Sequence, residues 1–324
     1  MPISVTLSVK TLQQAILFYS DEQTCIDAVA SMRWPNGVEC PACGNGQHWY
    51  LKTQKRWKCK DCNRQFSVKL GTIFEDSPIP LTKWLLAMWM LANCKNGVSS
   101  WEIHRALGVT QKTAWFMLHR LRLAMQGSGI IKLGGPNSTV EVDETYIGGK
   151  ARNMHAVVRR RNVKDIGAKA MVMGAVERGG KVYARVVENR KKETIKDVIF
   201  PVIEKGTTVN TDEFPAYIYA TKDAEFEHNV INHLEKYVDG NVHTNGIENF
   251  WSCLKRGLGG TYIAVEPFHL FRYVDEQAFR YNNRGNKENP IHDGQRFQSV
   301  LSHVAGKRIT YSALTGKEQL PEPF

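Results

Sequence analysis

Apolar positions change their period along this chain, and the changes divide it. Over 11–32 and 81–126 they recur every three or four residues; from 138 onward they first alternate and then return to the helical period. The pattern predicts helices over 11–18 and 21–32, the second capped by Asp21, followed by the turn Trp34-Pro35-Asn36-Gly37. A strongly apolar helix is expected over 81–91 and a turn at Asn96-Gly97. WEIHRALG then forms a short helix capped by Ser99 or Ser100 and stopped by Gly108, and QKTAWFMLHRLRLAM forms another capped by Thr110. Gly-rich stretches at 127–129 and 134–137 read as a linker. Beyond it the pattern predicts a strand over 139–143, a hairpin of strands 170–176 and 182–187, a helix over about 193–203 and a strand ending at Asp212. A short strand near Val230 follows, then a helix beginning near Asn245 and a last long helix over 267–281. Residues 285–324 carry weak signals and are expected to form a loosely packed tail.

The order β-β-β-α-β-(β)-α in the second half is that of a ribonuclease H-like α/β fold, a mixed sheet flanked by helices. Before it, two short helices meeting around Leu107-Gly108-Val109-Thr110 fit a helix-turn-helix. In that reading Gln111, Lys112 and Thr113 enter a DNA groove, while Arg120 and Arg122 reach the phosphate backbone; a plain helical hairpin is the competing reading. The chain accordingly divides into a helical segment (1–35), a metal module (36–72), the helix-turn-helix (73–128), the α/β domain (138–285) and the tail (286–324).

Cys40, Cys43, Cys59 and Cys62 follow C-x2-C-x15-C-x2-C spacing. Each C-x2-C turn aims two thiolates at one point, and two such turns close a tetrahedral zinc site. Four sulfur ligands leave no open position, so the zinc is structural and the module a zinc ribbon. Four buried reduced thiols are the plainer reading. Cys25, Cys94 and Cys253 have no partner at ligand spacing and are expected in the core. Lys52, Lys55, Arg56, Lys58, Lys60 and Arg64 surround the ribbon as phosphate contacts or as a solvated face.

The chemistry concentrates in three acids. Asp143 and Asp212 each close a strand-like run, and Glu248, separated from Asp212 by 35 residues, begins a helix. In that helix Ile247, Phe250, Trp251, Leu254 and Leu258 face a core, while Glu248, Ser252 and Lys255 share the other side. Strand ends and a helix start can gather the three carboxylates at one sheet edge, where they would hold two magnesium or manganese ions. Such ions take oxygen ligands and keep positions open for phosphate and water. Asn245 and Glu248 also fit a capping box, and strand-end aspartates are common without metals. Lys255 reads as a phosphate contact or a solvated lysine. Glu144 and Glu213 point across their strands and are left out of the set. His228, His233 and His243 read as satisfied or exposed histidines rather than ligands.

Charge adds a partner. The net charge is +11 over 324 residues, which favours a polyanion. Between Lys150 and Lys169, Lys150, Arg152, Arg159, Arg160, Arg161, Lys164 and Lys169 face one acid, Asp165, and Arg159–Arg161 are the strongest DNA-contact candidates there. No apolar run approaches the ~20 residues that span a bilayer, and the first residues lack a signal-peptide core. A cytoplasmic, nucleoid-associated protein is expected, and seven cysteines in that compartment argue against a disulfide framework.

The stretches WPNGVECPACG, VEVDETYIGGK, VNTDEFPAY, TNGIENFWSCLKRGLGGTY and FRYVDEQAFRYNNR together resemble the ISXO-type insertion-sequence transposases, a branch of the ribonuclease H-like DDE transposases. The resemblance covers about 22–285. It implies binding of double-stranded DNA at terminal inverted repeats, metal-dependent strand cleavage and transfer, and a homodimer or larger oligomer on DNA. It also implies that Asp143 and Asp212 are the first two catalytic acids and that the third position is an Asn or a Glu with a downstream Lys; here Asn245, Glu248 and Lys255 are all present. A DNA-binding regulator without activity and another nuclease of the same fold are the alternatives. Intact acids argue against the first, and the N-terminal DNA-binding modules against the second.

Overall fold

The computed structural model describes residues 9–127, 131–148, 169–221, 226–231 and 242–317. The chain forms two compact units, Met1–Ser128 with Asn283–Phe324, and Gly129–Asn282.

In the first unit, α1 (Leu12–Phe18) and α2 (Glu22–Arg33) start where their caps predict. Thr11 and Gln14 make a capping box, and Asp21 accepts the Thr24 amide at 2.7 Å. A three-stranded antiparallel sheet of β1 (His48–Leu51), β2 (Arg56–Cys59) and β3 (Gln65–Phe66) follows. Trp57 packs with Tyr50, Phe66 and Trp34 on its inner side. Next come α3 (Leu81–Asn93), α4 (Ser100–Leu107) and α5 (Gln111–Met125). Ser99 and Glu102 box the start of α4, Gly108 closes it in the left-handed conformation (φ 59°), and Thr110 caps α5. The segment expected as a loose tail belongs to this core. A helix at Asp293–Leu301 buries Phe297, Val300 and Leu301; Phe297 sits against Tyr19 and Trp89 at ring-centre distances of 5.2 and 5.4 Å. Its apolar spacing, i, i+3, i+4, is a helical stripe too short to stand out along the sequence.

The second unit is built on a five-stranded sheet. After β4 (Leu133–Gly134) come β5 (Thr139–Ile147), β6 (Ala170–Glu177) and β7 (Val182–Val187), then α6 (Lys192–Val198), β8 (Ile203–Glu204), β9 (Thr208–Asp212), α7 (Pro215–Thr221) and β10 (Glu227–Ile231). The unit closes with α8 (Asn245–Gly257) and α9 (Leu270–Asn282). The sheet order is β10-β9-β5-β6-β7, with β5/β6 and β6/β7 antiparallel and β5/β9 and β9/β10 parallel; β4 and β8 pair separately. This is the ribonuclease H-like order. One face carries Val140, Val142, Met173, Ala175 and Val209 against Ile195, Ile199 and Tyr217. The other carries Val172, Val176, Val182 and Ala184 under Phe250, Trp251, Leu254, Leu270, Tyr273 and Val274 of α8 and α9.

The last helix starts at Leu270, after a 3-10 turn at Pro267–His269, and two boundaries earlier in the unit also differ from expectation. The helix after β7 ends at Val198, because Pro201 supplies no amide hydrogen and disfavours helix in the residue before it; Phe200–Val202 make a single 3-10 turn instead. Strand β5 runs past Asp143 to Ile147, because β6 pairs with it along its length, from Val140↔Glu177 to Ile147↔Ala170.

Candidate active site and zinc centre

Asp143 therefore lies in mid-strand. The edge it occupies is set by its other neighbour: β5 pairs with β9 through Glu141↔Asn210, and two residues further along stand Asp143 and Asp212. Side chains alternate along a strand, so Val140 and Val142 enter the core on one face while Glu141 and Asp143 turn to the face covered by α8. Burial first, and then the charges of Glu144 and Asp212, push the Asp143 carboxyl up to about 7 against the opposing bonds from the Glu144 amide and Trp251. An acid in this state is short of positive charge. Asp212 also accepts the Phe214 amide at 3.1 Å, which turns the chain out of the strand.

The helix α8 is docked on that face by Trp251, whose indole Nε1 donates to Asp143 Oδ2 at 3.0 Å. The ring has room because Gly174 is the cross-strand partner of Asp143; a Cβ on Gly174 would stand 2.8 Å from Trp251 Cη2. Glu248 lies one turn before Trp251 and Lys255 one turn after it, both exposed, with Asn245 exposed at the helix start. Glu248 Oε1 accepts the Thr244 hydroxyl at 3.1 Å. The structure thus brings Asp143 and Asp212 to one level of the sheet and places the helix of Glu248 over them.

The capping box considered for Asn245 and Glu248 is not formed. Thr244 occupies the cap position, Asn245 is the first helical residue, and Thr244 makes no side-chain bond to the first-turn amides. Those amides go to Glu141, a residue the sequence reading did not single out: its Oε2 accepts from Gly246 at 2.6 Å and Ile247 at 3.1 Å. Its Oε1 accepts from Arg178 Nε at 2.8 Å and faces His243 Nδ1 at 3.2 Å. On the opposite face of β5, Glu144 accepts from the Tyr217 hydroxyl at 2.6 Å and from Arg190 at 3.0 Å, with the Arg190 guanidinium 3.9 Å over Phe214. His228 bridges Thr211 and Thr221, each at 2.9 Å, and burial lowers its pKa; it is a satisfied, half-buried histidine. Arg159, Arg160, Arg161 and His233 lie outside the described residues.

In the first unit the Sγ atoms of Cys40, Cys43, Cys59 and Cys62 all lie within 4.8 Å of one another. Cys40–Cys62 and Cys43–Cys59 stand at 3.6 Å, close to the ~3.8 Å edge of a tetrahedron with zinc–sulfur bonds of about 2.3 Å. Among the described residues these thiols alone make so tight a ligand set. The four residues fit a structural zinc with no open position. Cys25 is core, as expected, whereas Cys94 and Cys253 are only half-buried.

The residues expected to act in a helix-turn-helix separate into two groups. Gln111, Lys112 and Thr113 occupy the first turn of α5, where Lys112 is exposed, Gln111 donates to Ser100 Oγ at 2.9 Å and Thr113 closes the cap with Thr110. Arg120 and Arg122, expected at the phosphate backbone, are buried instead. Arg120 donates to the carbonyls of Ile73 (2.9 Å) and Glu75 (2.7 Å) and lies over Phe116. From Met117 to Arg122 every residue of α5 is buried, so neither arginine stands on an exposed face of the helix.

A ribonuclease H-like sheet with two aspartates level on adjacent parallel strands and an acid-bearing helix across them, preceded by a four-cysteine ribbon, defines a DDE-type protein. Residues 132–282 match the ISXO2-like transposase domain, and residues 20–65 match the transposase zinc-ribbon domain. Both matches are to domains of insertion-sequence transposases, so residues 132–282 form a transposase domain of the ISXO2-like kind and residues 20–65 a transposase zinc ribbon. It is 28% identical over 253 residues, 74% of this chain and 84% of the relative, to an uncharacterized protein in transposable element ISH50 of Halobacterium salinarum. A chain in the cryoEM structure of the simian T-cell lymphotropic virus intasome in complex with PP2A regulatory subunit B56 gamma is 17% identical. The match covers 61% of this chain and 66% of that one at a TM-score of 0.30, too slight to bear on the fold. No helix among the described residues is long and apolar enough to cross a membrane.

Proposed function

We propose that the chain binds the terminal inverted repeats of its element and catalyses cleavage and strand transfer of double-stranded DNA. The observation that carries this reading is the meeting of Asp143, level with Asp212, with the Glu248 helix through the Trp251 bond. Asp143, Asp212 and Glu248 would hold two divalent cations, magnesium or manganese; carboxylate oxygens suit such ions, and the raised Asp143 pKa marks a site short of positive charge. Bound there, the ions would activate the attacking oxygen and stabilise the leaving one. The chain's own residues do the rest. Trp251 orients the Asp143 carboxylate, Glu144 stands behind it in its own network with Tyr217 and Arg190, and Lys255 orients a phosphate.

DNA delivery falls to the first unit and to the basic segment around Arg159–Arg161. In the helix-turn-helix, Gln111, Lys112 and Thr113 meet a groove, and Arg120 and Arg122 hold the helices from inside. Binding by that many cations should weaken steeply with salt, and neutralising Arg159, Arg160 and Arg161 should flatten the dependence.

Glu248→Gln tests the reading. It is expected to abolish cleavage and strand transfer while binding of the element's ends survives, with Asp143→Asn and Asp212→Asn equally inactive. Near-normal transfer by Glu248→Gln beside two inactive aspartate variants would move the third site to Asn245, with Lys255 as its partner. Normal transfer by all three variants would overturn the proposal.

A further inference from the structure

Glu141 is fully buried in β5, two residues before Asp143, and the chemistry above does not use it. A buried carboxylate is unfavourable unless both oxygens are occupied, and here both are. Oε2 takes the amides of Gly246 and Ile247 at 2.6 and 3.1 Å. These are orphan donors of the first turn of α8, where the helix end also favours an anion. Oε1 takes Arg178 Nε at 2.8 Å and lies 3.2 Å from His243 Nδ1, and Arg178 donates a second hydrogen to the His243 carbonyl at 3.1 Å. Gly246 permits the approach: a Cβ there would stand 2.8 Å from Oε2.

Local stability alone does not call for this arrangement. Thr244 stands at the cap position, and a threonine hydroxyl can bind first-turn amides itself. Its hydroxyl goes to Glu248 instead, and the amides are bound by a strand 105 residues away in sequence. Capping has been transferred from the helix's own residue to the strand that carries Asp143. We infer that Glu141 is a positioning residue for the active site: by gripping the first turn of α8 from β5, it fixes where Glu248 stands relative to Asp143. The inference rests on the proposed catalytic role of those two acids.

The test uses the full-length chain and reads manganese affinity by electron paramagnetic resonance titration, beside cleavage rate and thermal midpoint. Glu141→Gln keeps one acceptor for the helix amides but turns a donor toward Arg178 and His243. Supporting groups around a metal site typically change affinity 10–100-fold, so manganese affinity is expected to fall about tenfold or more, with end binding retained. Acting through Glu248, the substitution should add little further loss of manganese affinity to Glu248→Gln, because effects on one shared interaction do not add. A Glu141→Gln protein that only melts earlier, with wild-type manganese affinity and cleavage, overturns the inference. So does a double variant whose losses simply add. If Asp143→Asn itself leaves manganese affinity unchanged, the catalytic reading beneath it has failed instead. Should Glu141→Gln not fold, Arg178→Gln carries the test: it spares the helix amide bonds and is expected to lower manganese affinity severalfold, and unchanged affinity overturns the inference.

Discussion

Trp251 donates its indole hydrogen to Asp143 Oδ2 at 3.0 Å, over the space that Gly174 leaves open on the neighbouring strand. The ring packs against Phe250 in the core beneath α8, so a single side chain docks the helix and holds the acid. The helix position and the orientation of Asp143 are coupled for that reason.

Trp251→Phe separates the two roles, since it keeps most of the ring and removes the donor. Loss of a hydrogen bond to a charged group should lower stability by about 1–3 kcal/mol and cleavage by on the order of tenfold or more. Denaturant unfolding and an excision assay read the two effects. Unchanged cleavage would mean that the indole only packs. Gly174→Ala should destabilise by roughly 1–3 kcal/mol through overpacking against Trp251 and the Tyr183 carbonyl.

The raised Asp143 pKa makes metal-free stability depend on pH. The group's pKa moves from 3.8 in the unfolded chain to about 7 in the fold, so the folded state holds the proton more tightly. Its stabilising contribution is complete below about pH 4 and is lost as pH rises through about 7. Asp143→Asn removes the ionising group. Without divalent metal it should melt above wild type at pH 8, by on the order of 1–3 kcal/mol, and the difference should vanish near pH 4. A variant less stable than wild type at pH 8 would contradict the burial of charge at this position.

Arg120 and Lys112 should behave oppositely. Arg120→Ala leaves the carbonyls of Ile73 and Glu75 without their donor and is expected to cost about 2–4 kcal/mol. Lys112→Ala, on the exposed first turn, should leave the melting temperature within experimental error while weakening binding to the element's ends. Equal thermal stability of Arg120→Ala and wild type would return Arg120 to the DNA-contact surface.

Zinc removal should act on the ribbon. Chelation or Cys40→Ser is expected to release the metal and loosen residues 40–62, seen as faster amide exchange there, while exchange in the five-stranded sheet stays slow. Metal content unchanged in Cys40→Ser would remove the thiol from the ligand set.

Local signals were legible where one segment suffices to determine structure. The C-x2-C pairs, the Asp21, Ser99 and Thr110 caps, the Gly108 stop, the alternating strands and the apolar stripe of α8 are short-range patterns, and they yielded the ribbon, most of the helices and the order of elements along the chain. The two aspartates were legible because each closes or interrupts such a pattern. What needed tertiary structure was every relation between segments. Asp143 reads as a strand end until β6 pairs with β5 beyond it. Arg120 and Arg122 read as phosphate contacts until the burial of α5 is known, because charge does not reveal exposure. Asn245 and Glu248 read as a capping box because the local spacing allows one; the cap comes instead from Glu141, across 105 residues. A backbone amide accepts any carboxylate that packing brings near, and only the folded sheet decides which one arrives.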